Sequence, residues 1–143
     1  MSPRLARRVG PVVAAVALLA SISGCSSGGG DKPADLKVTE RDFHISAPEQ
    51  VHAGKVEVAV HNNGPDDHEF IVVRMHGERL PLRNDGLTVS EDAVEDDTAG
   101  AVEPAPPGTE HLTLHLKPGT YELLCNMYGH YAGGMHRKLV VHS

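Results

Sequence analysis

The sequence predicts an all-β domain with the architecture of a β-sandwich, and three observations lead to this prediction. Apolar and polar residues alternate with a period of two in several segments, most clearly at Val56, Val58 and Val60. Clusters of Gly, Pro and Asn that favour turns separate these segments. The part of the chain that is expected to fold shows no apolar residues at helical spacing. Short alternating strands joined by turns are typical of sandwiches.

The first 24 residues are interpreted as an export signal. Three arginines precede an apolar run over residues 11–22, which is too short to span a membrane comfortably. The run ends in Ile22-Ser-Gly-Cys25, and this order of a branched apolar residue, two small residues and a cysteine resembles the bacterial lipobox. The resemblance implies cleavage before Cys25, acylation of Cys25 and a lipid anchor at the outer face of the cell membrane. The alternative is an ordinary secretory signal in which Cys25 occurs by chance.

Residues 25–35 are interpreted as a flexible tether because they are rich in serine and glycine. Residues 36–143 then form one small domain with room for a single core. The formal net charge of the whole chain is −6, and loss of the three signal arginines makes it −9. This acidic balance argues against binding to nucleic acid and against docking on anionic lipid through charge.

The first predicted strands lie near the start of the domain. Apolar residues alternate with polar ones at Leu36, Val38, Phe43 and Ile45. The clearest strand follows at residues 56–60, where His61 falls on the exposed side, and the turn cluster Asn62–Pro65 ends it.

A histidine stands at the start of the next predicted strand. Residues 70–73 are apolar and mostly β-branched, which favours a strand. Since side chains alternate along a strand, His68, Phe70 and Val72 point to one face. If Phe70 faces the core, His68 does so as well.

Residues 77–108 interrupt the alternation. We expect loops over residues 84–98 and over the Pro/Gly-rich run 103–108. The first of these contains an acidic cluster, with a short helix as one possible form: Glu91, Asp92, Glu95, Asp96 and Asp97. The simpler interpretation of this cluster is a solvated surface, and the alternative is a docking patch for a partner.

The last third of the chain predicts a β-hairpin and a closing strand. Leu112, Leu114 and Leu116 alternate with polar residues up to the turn at Pro118-Gly119. After this turn, Tyr121, Leu123 and Cys125 share one parity and are expected to face the interior. Residues 139–141 are predicted to form the final strand.

The segment after Cys125 carries the candidate chemistry. His130 and Met135 follow at intervals of five in a glycine-rich loop. Glycine permits sharp bends, so the loop can bring the thiolate, the imidazole and the thioether to one point. These are three of the four side chains that a type 1 copper site uses, and His68 offers the second imidazole. The chain has two cysteines. If Cys25 is acylated, Cys125 has no disulfide partner, and a metal would protect its thiol from oxidation.

Residues 118–135 resemble the ligand loop of the cupredoxins, and residues 58–73 are similar to the strand that carries the upstream ligand of that family. The Cys-x4-His-x4-Met spacing, with glycine before the histidine, resembles that of the rusticyanin and sulfocyanin-like branch. The resemblance implies a cupredoxin-like Greek-key β-sandwich over residues 36–143. It also implies one type 1 copper ion bound by His68, Cys125, His130 and Met135.

Two positions depart from the family pattern. Glu69 stands where many members have Asn or Ser to hydrogen-bond around the cysteine sulfur, so Asn63 or Asn126 would have to take that role. Residues 127–129 replace a segment that often contains proline. Both changes affect the expected reduction potential more than copper binding. Of the other histidines, all interpreted as surface residues, His136 lies near the site in sequence and could modulate it.

Together with the lipobox-like segment, the resemblance implies a membrane-anchored, monomeric one-electron carrier in the cell envelope, with a redox protein as its partner. The acidic surface would suit a basic partner. The alternative is a protein that stores copper or delivers it to an acceptor through the same ligands. An enzyme is not expected, because the chain offers no second set of copper ligands and no hydrolase signature. A metal-free structural module would require the ligand pattern to be accidental.

Overall fold

A computed structural model describes residues 33–143 of the chain. Residues 1–32, which hold the predicted signal, most of the predicted tether and Cys25, lie outside the described residues. Within residues 33–143, no helix is long and apolar enough to cross a membrane. The elements are β1 (Leu36–Arg41), β2 (His44–Ser46), β3 (Gln50–His52), β4 (Gly54–Asn62), β5 (His68–Arg74), α1 (Glu91–Val94), a 3₁₀ turn (Glu95–Asp97), β6 (Thr98–Ala105), β7 (Gly108–Leu116), β8 (Gly119–Leu124) and β9 (His136–His142).

Two sheets pack face to face, which confirms the predicted β-sandwich. One sheet has four strands in the order β2-β1-β4-β7, and the other has five in the order β3-β9-β8-β5-β6. Strand β1 runs parallel to β4, and β3 runs parallel to β9, whereas the other pairs are antiparallel. The core lies between the sheets and is mainly aliphatic, as the low aromatic content requires.

The period-two prediction holds where a strand has one face in the core. Val56, Val58 and Val60 on β4 are buried, and His61 is exposed between them and the turn. Strand β5 differs, because Ile71 and Val73 are buried too. They pack in a second apolar cluster under the segment that contains α1, so β5 has no face in water. His68 therefore stands on a strand that is held on both sides.

The predicted hairpin after Leu116 is wrong. Strand β7 pairs with β4 in one sheet, and β8 pairs with β5 and β9 in the other. The turn at Pro118-Gly119 thus carries the chain across the sandwich. Alternating residues look the same in both arrangements, since either places the apolar side chains in one core.

Two other expectations need correction. The run 103–108 was expected to be a loop, but residues 98–105 form β6, an edge strand paired with β5. An edge strand tolerates Pro104 because one side of its backbone needs no ladder partner. Phe43 was expected to alternate with Ile45 in a strand, but it lies in the turn between β1 and β2 and its side chain is 53% exposed. The short helix within the acidic cluster is present.

Candidate metal centre

Three of the predicted ligands converge at one end of the sandwich. Strand β5 begins there and the antiparallel β8 ends there, since Ile71 lies opposite Leu124. One ligand atom from each of His68, Cys125 and His130 lies within 4.8 Å of the other two. Within residues 33–143 this is the one group of three or more His, Cys, Asp or Glu side chains with such spacing.

His68 supplies a neutral, buried imidazole. Its ring centroid lies 5.2 Å from that of His130. Burial lowers the pKa of His68, the nearby His130 adds to this, and the carboxylate of Asp42 opposes it. Asp42 Oδ1 lies 3.2 Å from His68 Nε2. That contact lacks hydrogen-bond alignment, so neither ring nitrogen of His68 has a hydrogen-bond partner in the described part of the chain. Orphaned nitrogens on a buried imidazole fit a metal ligand.

Cys125 follows the last residue of β8 and is fully buried. Its sulfur lies 3.4 Å from Nδ1 of His130. Burial raises the pKa of the Cys125 thiol to about 11, although backbone N–H groups of Met127 and Glu69 point to the sulfur and act in the opposite direction. The thiol therefore keeps its proton until a cation replaces it.

The loop from Cys125 to Met135 is shaped by its own backbone hydrogen bonds. The His130 N–H donates to Met127 O at 2.9 Å, and the Met135 N–H donates to His130 O at 3.0 Å. Gly129 and Gly134 adopt φ values of +80° and +100°, which disfavour other residue types. Met135 is fully buried in the same core cluster as Cys125. The Cys125 N–H donates to Met135 O at 3.1 Å, so the backbone of the fourth predicted ligand lies beside the cysteine.

Glu69 partly replaces the polar residue expected beside the cysteine. Its backbone N–H points to the Cys125 sulfur, and its half-buried carboxylate accepts the backbone N–H of Asn126. Burial, followed by the charge of Glu91, raises the pKa of Glu69. The side chain of Asn126 turns away to Val89 and Glu91. Through these hydrogen bonds Asn126, which directly follows the cysteine, links the ligand loop to the α1 segment.

Glu40 is a buried carboxyl near the site that the sequence interpretation missed. It is 2% exposed, and its Oε1 has no hydrogen-bond partner among the described residues. Burial, and then the charge of Glu69, raise the pKa of Glu40 to about 8. A signal was available, since Glu40 shares the inward parity of Leu36 and Val38.

His136 does not take part in the ligand group. Its Nδ1 lies 2.8 Å from Oε1 of Glu122, and its ring stacks on Tyr131 at 4.6 Å. Together these side chains line a cavity of about 580 Å³ that opens to solvent. Met127 is partly buried and packs against the core cluster.

No protein-family model and no curated protein sequence matches the chain. Several solved structures are similar in shape. Dithionite-reduced auracyanin from Roseiflexus castenholzii has 23% identity and a TM-score of 0.60, with coverage of 75% of this chain and 95% of that one. Reduced rusticyanin has 19% identity and a TM-score of 0.56, with coverage of 74% and 78%. Rusticyanin from Thiobacillus ferrooxidans has 17% identity and a TM-score of 0.56, with coverage of 74% and 76%. The chain therefore adopts the cupredoxin fold, and its His-Cys-His group fits a blue copper site.

Proposed function

We propose that this chain is a type 1 copper protein that carries single electrons in the cell envelope. The observation that carries the proposal is the convergence of two imidazoles and one thiol within 4.8 Å at the end of a cupredoxin sandwich. His68, Cys125 and His130 are the proposed strong ligands, and Met135 from the same buried cluster is the proposed axial ligand.

The donor set suits copper in both of its common oxidation states. Copper bound there supplies one-electron exchange, and a thiolate, two imidazoles and a thioether serve both redox forms. The protein contributes fixed ligand positions: β5 is packed on both faces, and the Cys125 N–H donates to Met135 O at 3.1 Å. A site that moves little between redox states exchanges electrons with a small barrier.

The similar structures support the same chemistry. One of the rusticyanin structures is described as that of a copper protein. The auracyanin structure is of the dithionite-reduced protein, and one rusticyanin structure is of the reduced protein. We carry this redox role over to the present chain as part of the proposal.

Absorption and paramagnetic-resonance spectra of the copper(II) form test the proposal directly. We expect the intense visible band of a thiolate bound to copper(II), and its loss in Cys125→Ser. His68→Ala should lose the same spectrum, whereas His111→Ala should keep it because His111 is exposed on β7. A copper-loaded wild-type protein that lacks both the visible band and a reversible redox wave would contradict the proposal.

The lipid anchor is a separate part of the proposal and rests on the lipobox-like residues 22–25. Acylated Cys25 would hold the domain at the outer face of the cell membrane on the tether of residues 25–35. Labelling with a fatty-acid analogue and fractionation test it. Cys25→Ser should move the protein to the soluble fraction, and the matched variant Ser26→Ala should stay with the membrane. Equal fractionation of the two variants would contradict the anchor.

The acidic α1 segment is the proposed docking surface for a basic redox protein. Asp92, Glu95 and Asp96 are exposed, and Glu91 accepts a hydrogen bond of 2.7 Å from the side chain of Asn126. Because Asn126 directly follows Cys125 in the proposed ligand loop, the surface contacts this loop one residue from the cysteine. Opposite charge on a partner would speed its approach to this face.

Copper delivery remains the alternative function of the same ligands. Delivery needs ligands that open to an acceptor, whereas His68, Cys125 and Met135 are fully buried or nearly so. His136, which could have served as an auxiliary ligand, is engaged by Glu122. Copper transfer to a metal-free acceptor within seconds, with poor electron exchange, would favour delivery over electron carriage.

A further inference from the structure

We propose that the two-residue turn Asp42-Phe43 positions both imidazoles of the site, with Asp42 acting on His68 and Phe43 on His130. The consequence of this geometry for copper rests on the proposed function.

The backbone of this turn is unusual. Arg41 pairs with His44, so Asp42 and Phe43 are the whole connection between β1 and β2. Phe43 has a φ of +60° and is the one non-glycine residue with positive φ among residues 33–143. Gly or Asn normally takes such a turn position, and bulky residues are disfavoured there. The Phe43 side chain is half exposed, so burial alone does not explain why a phenylalanine is held in this conformation.

The ring of Phe43 lies against the loop that carries His130. The two rings meet edge to face, with centroids 5.3 Å apart and planes at 60°. The ring also fills the notch left by Gly133, where an added Cβ would lie 2.9 Å from Cε1 of Phe43. Phe43 thus touches both the proposed ligand and the glycine that lets the ligand loop approach. This contact restricts rotation of the His130 ring.

Asp42 faces the other imidazole. Its Oδ1 lies 3.2 Å from Nε2 of His68 and has no hydrogen-bond partner among the described residues. Gly64 leaves the space for this approach, since a Cβ there would lie 2.7 Å from Asp42 Oδ1 and 2.9 Å from His68 Nε2. A carboxylate beside Nε2 favours the tautomer with its proton on Nε2, so the lone pair of Nδ1 is free for a metal.

One short turn therefore acts on two ligands that are far apart in sequence. The ring centroids of His68 and His130 are 5.2 Å apart, and the turn lies against both rings. We infer that it fixes the two imidazoles before copper binds. Loss of either contact should loosen one imidazole and leave the other in place.

Nitrogen NMR of the histidine rings in the copper-free protein tests the turn without any metal. We expect the Nε2–H tautomer for His68 in the wild type, a mixture of tautomers in Asp42→Ala, and recovery in Asp42→Asn, whose amide oxygen can still accept a hydrogen bond from Nε2–H. Phe43→Gly suits the positive φ, so it should fold and release the His130 ring into fast motion. Tyr128→Ala is the matched control. Tyr128 is an aromatic residue of the loop that carries His130, and its side chain is 77% exposed.

Copper binding gives the second readout. We expect the copper(II) affinity of Asp42→Ala to fall by roughly 10- to 100-fold, which is typical when the partner of a ligand histidine is removed. Asp42→Asn should recover most of this loss. Phe43→Gly should alter the copper(II) paramagnetic-resonance spectrum, and Tyr128→Ala should leave it unchanged.

Unchanged tautomer, ring motion and copper(II) affinity in Asp42→Ala and Phe43→Gly would overturn the proposal. Unfolding of Phe43→Gly would overturn the Phe43 part by assigning that ring to general stability. If the wild type binds no copper, the proposed function fails, and the metal-free NMR comparison still decides the role of the turn.

Discussion

Glu40 shows how one residue can make the metal-free protein sensitive to pH. The folded chain holds the pKa of Glu40 at about 8, compared with 4.5 for the unperturbed group. Between these values the folded state keeps the proton and the unfolded state releases it. The free energy of unfolding should therefore fall as pH rises from about 4.5 to about 8, by on the order of a few kcal/mol.

Denaturant unfolding of the copper-free protein at pH 5 and pH 8 measures this effect. Glu40→Gln should remove most of the difference between the two pH values. Glu110→Gln is the matched control, because Glu110 is exposed on β7. An equal pH dependence in wild type and Glu40→Gln would assign it to other groups.

Gly133 should be intolerant of any side chain. Alanine there would place its Cβ against the ring of Phe43 and 3.0 Å from Gly129 O. We expect Gly133→Ala to destabilise the protein by about 1–3 kcal/mol, the usual range for overpacking. Thermal unfolding should show no such loss in Gly77→Ala, since no atom of the described chain lies within 4 Å of the added Cβ. Equal melting temperatures for both variants would contradict this prediction.

At the residue scale, the sequence identified three side chains that converge in the structure, His68, Cys125 and His130, and it missed the residues around them. His68 and Cys125 were found because strand parity fixes which side chains face the core. Glu40 obeys the same parity, but a carboxyl in the core was not considered. Asp42 and Phe43 could not be found this way, because their contacts depend on a turn conformation that their residue types disfavour.

At the scale of elements, specific contacts hold the turn between β7 and β8, where the chain crosses from one sheet to the other. The Tyr121 hydroxyl donates to Lys117 O and accepts the Lys117 N–H, both at 3.1 Å. Arg74 Nη2 donates to Pro118 O at 3.0 Å and its guanidinium lies 5.9 Å from the centre of the Tyr121 ring. These contacts hold the turn that leads into the cysteine strand.

Removal of the Tyr121 hydroxyl should cost stability. Tyr121→Phe leaves the Lys117 N–H and carbonyl without their partner, so we expect a loss of about 1 kcal/mol in chemical unfolding. Tyr128→Phe removes an exposed hydroxyl and should change stability by much less. A loss of stability in Tyr128→Phe as large as that in Tyr121→Phe would show that the hydrogen bonds of the Tyr121 hydroxyl have no special role.

Strand pairing was the part of the fold that the sequence could not supply. The apolar pattern from Leu112 to Cys125 suits a hairpin and a crossing equally well, and only contacts with β4 and β5 decide between them. Strand β6 was missed because its proline and glycine content is typical of loops. Pairing with β5 and the freedom of an edge position override that local preference.

For the whole molecule, the acidic balance predicts salt-dependent association. Under the proposed function, electron transfer to a basic redox protein should slow as ionic strength rises, because screening weakens the attraction between opposite charges. Joint replacement of Asp92, Glu95 and Asp96 by their amides should lower the low-salt rate by roughly 10-fold and flatten the salt dependence. Stopped-flow mixing measures both, with Glu110→Gln as the control. A triple variant as fast and as salt-sensitive as the wild type would rule out docking at α1.

The burial of Cys125 has a consequence for how such a protein matures. The sequence suggested that a metal would protect the thiol, and the fold adds a second protection, because Cys125 is fully buried and burial raises its pKa to about 11. A protonated thiol without access to solvent reacts slowly with oxidants and with other thiols. The copper-free domain can therefore persist in an oxidising compartment with its cysteine intact. A chain that folds before it meets copper should therefore remain able to bind it.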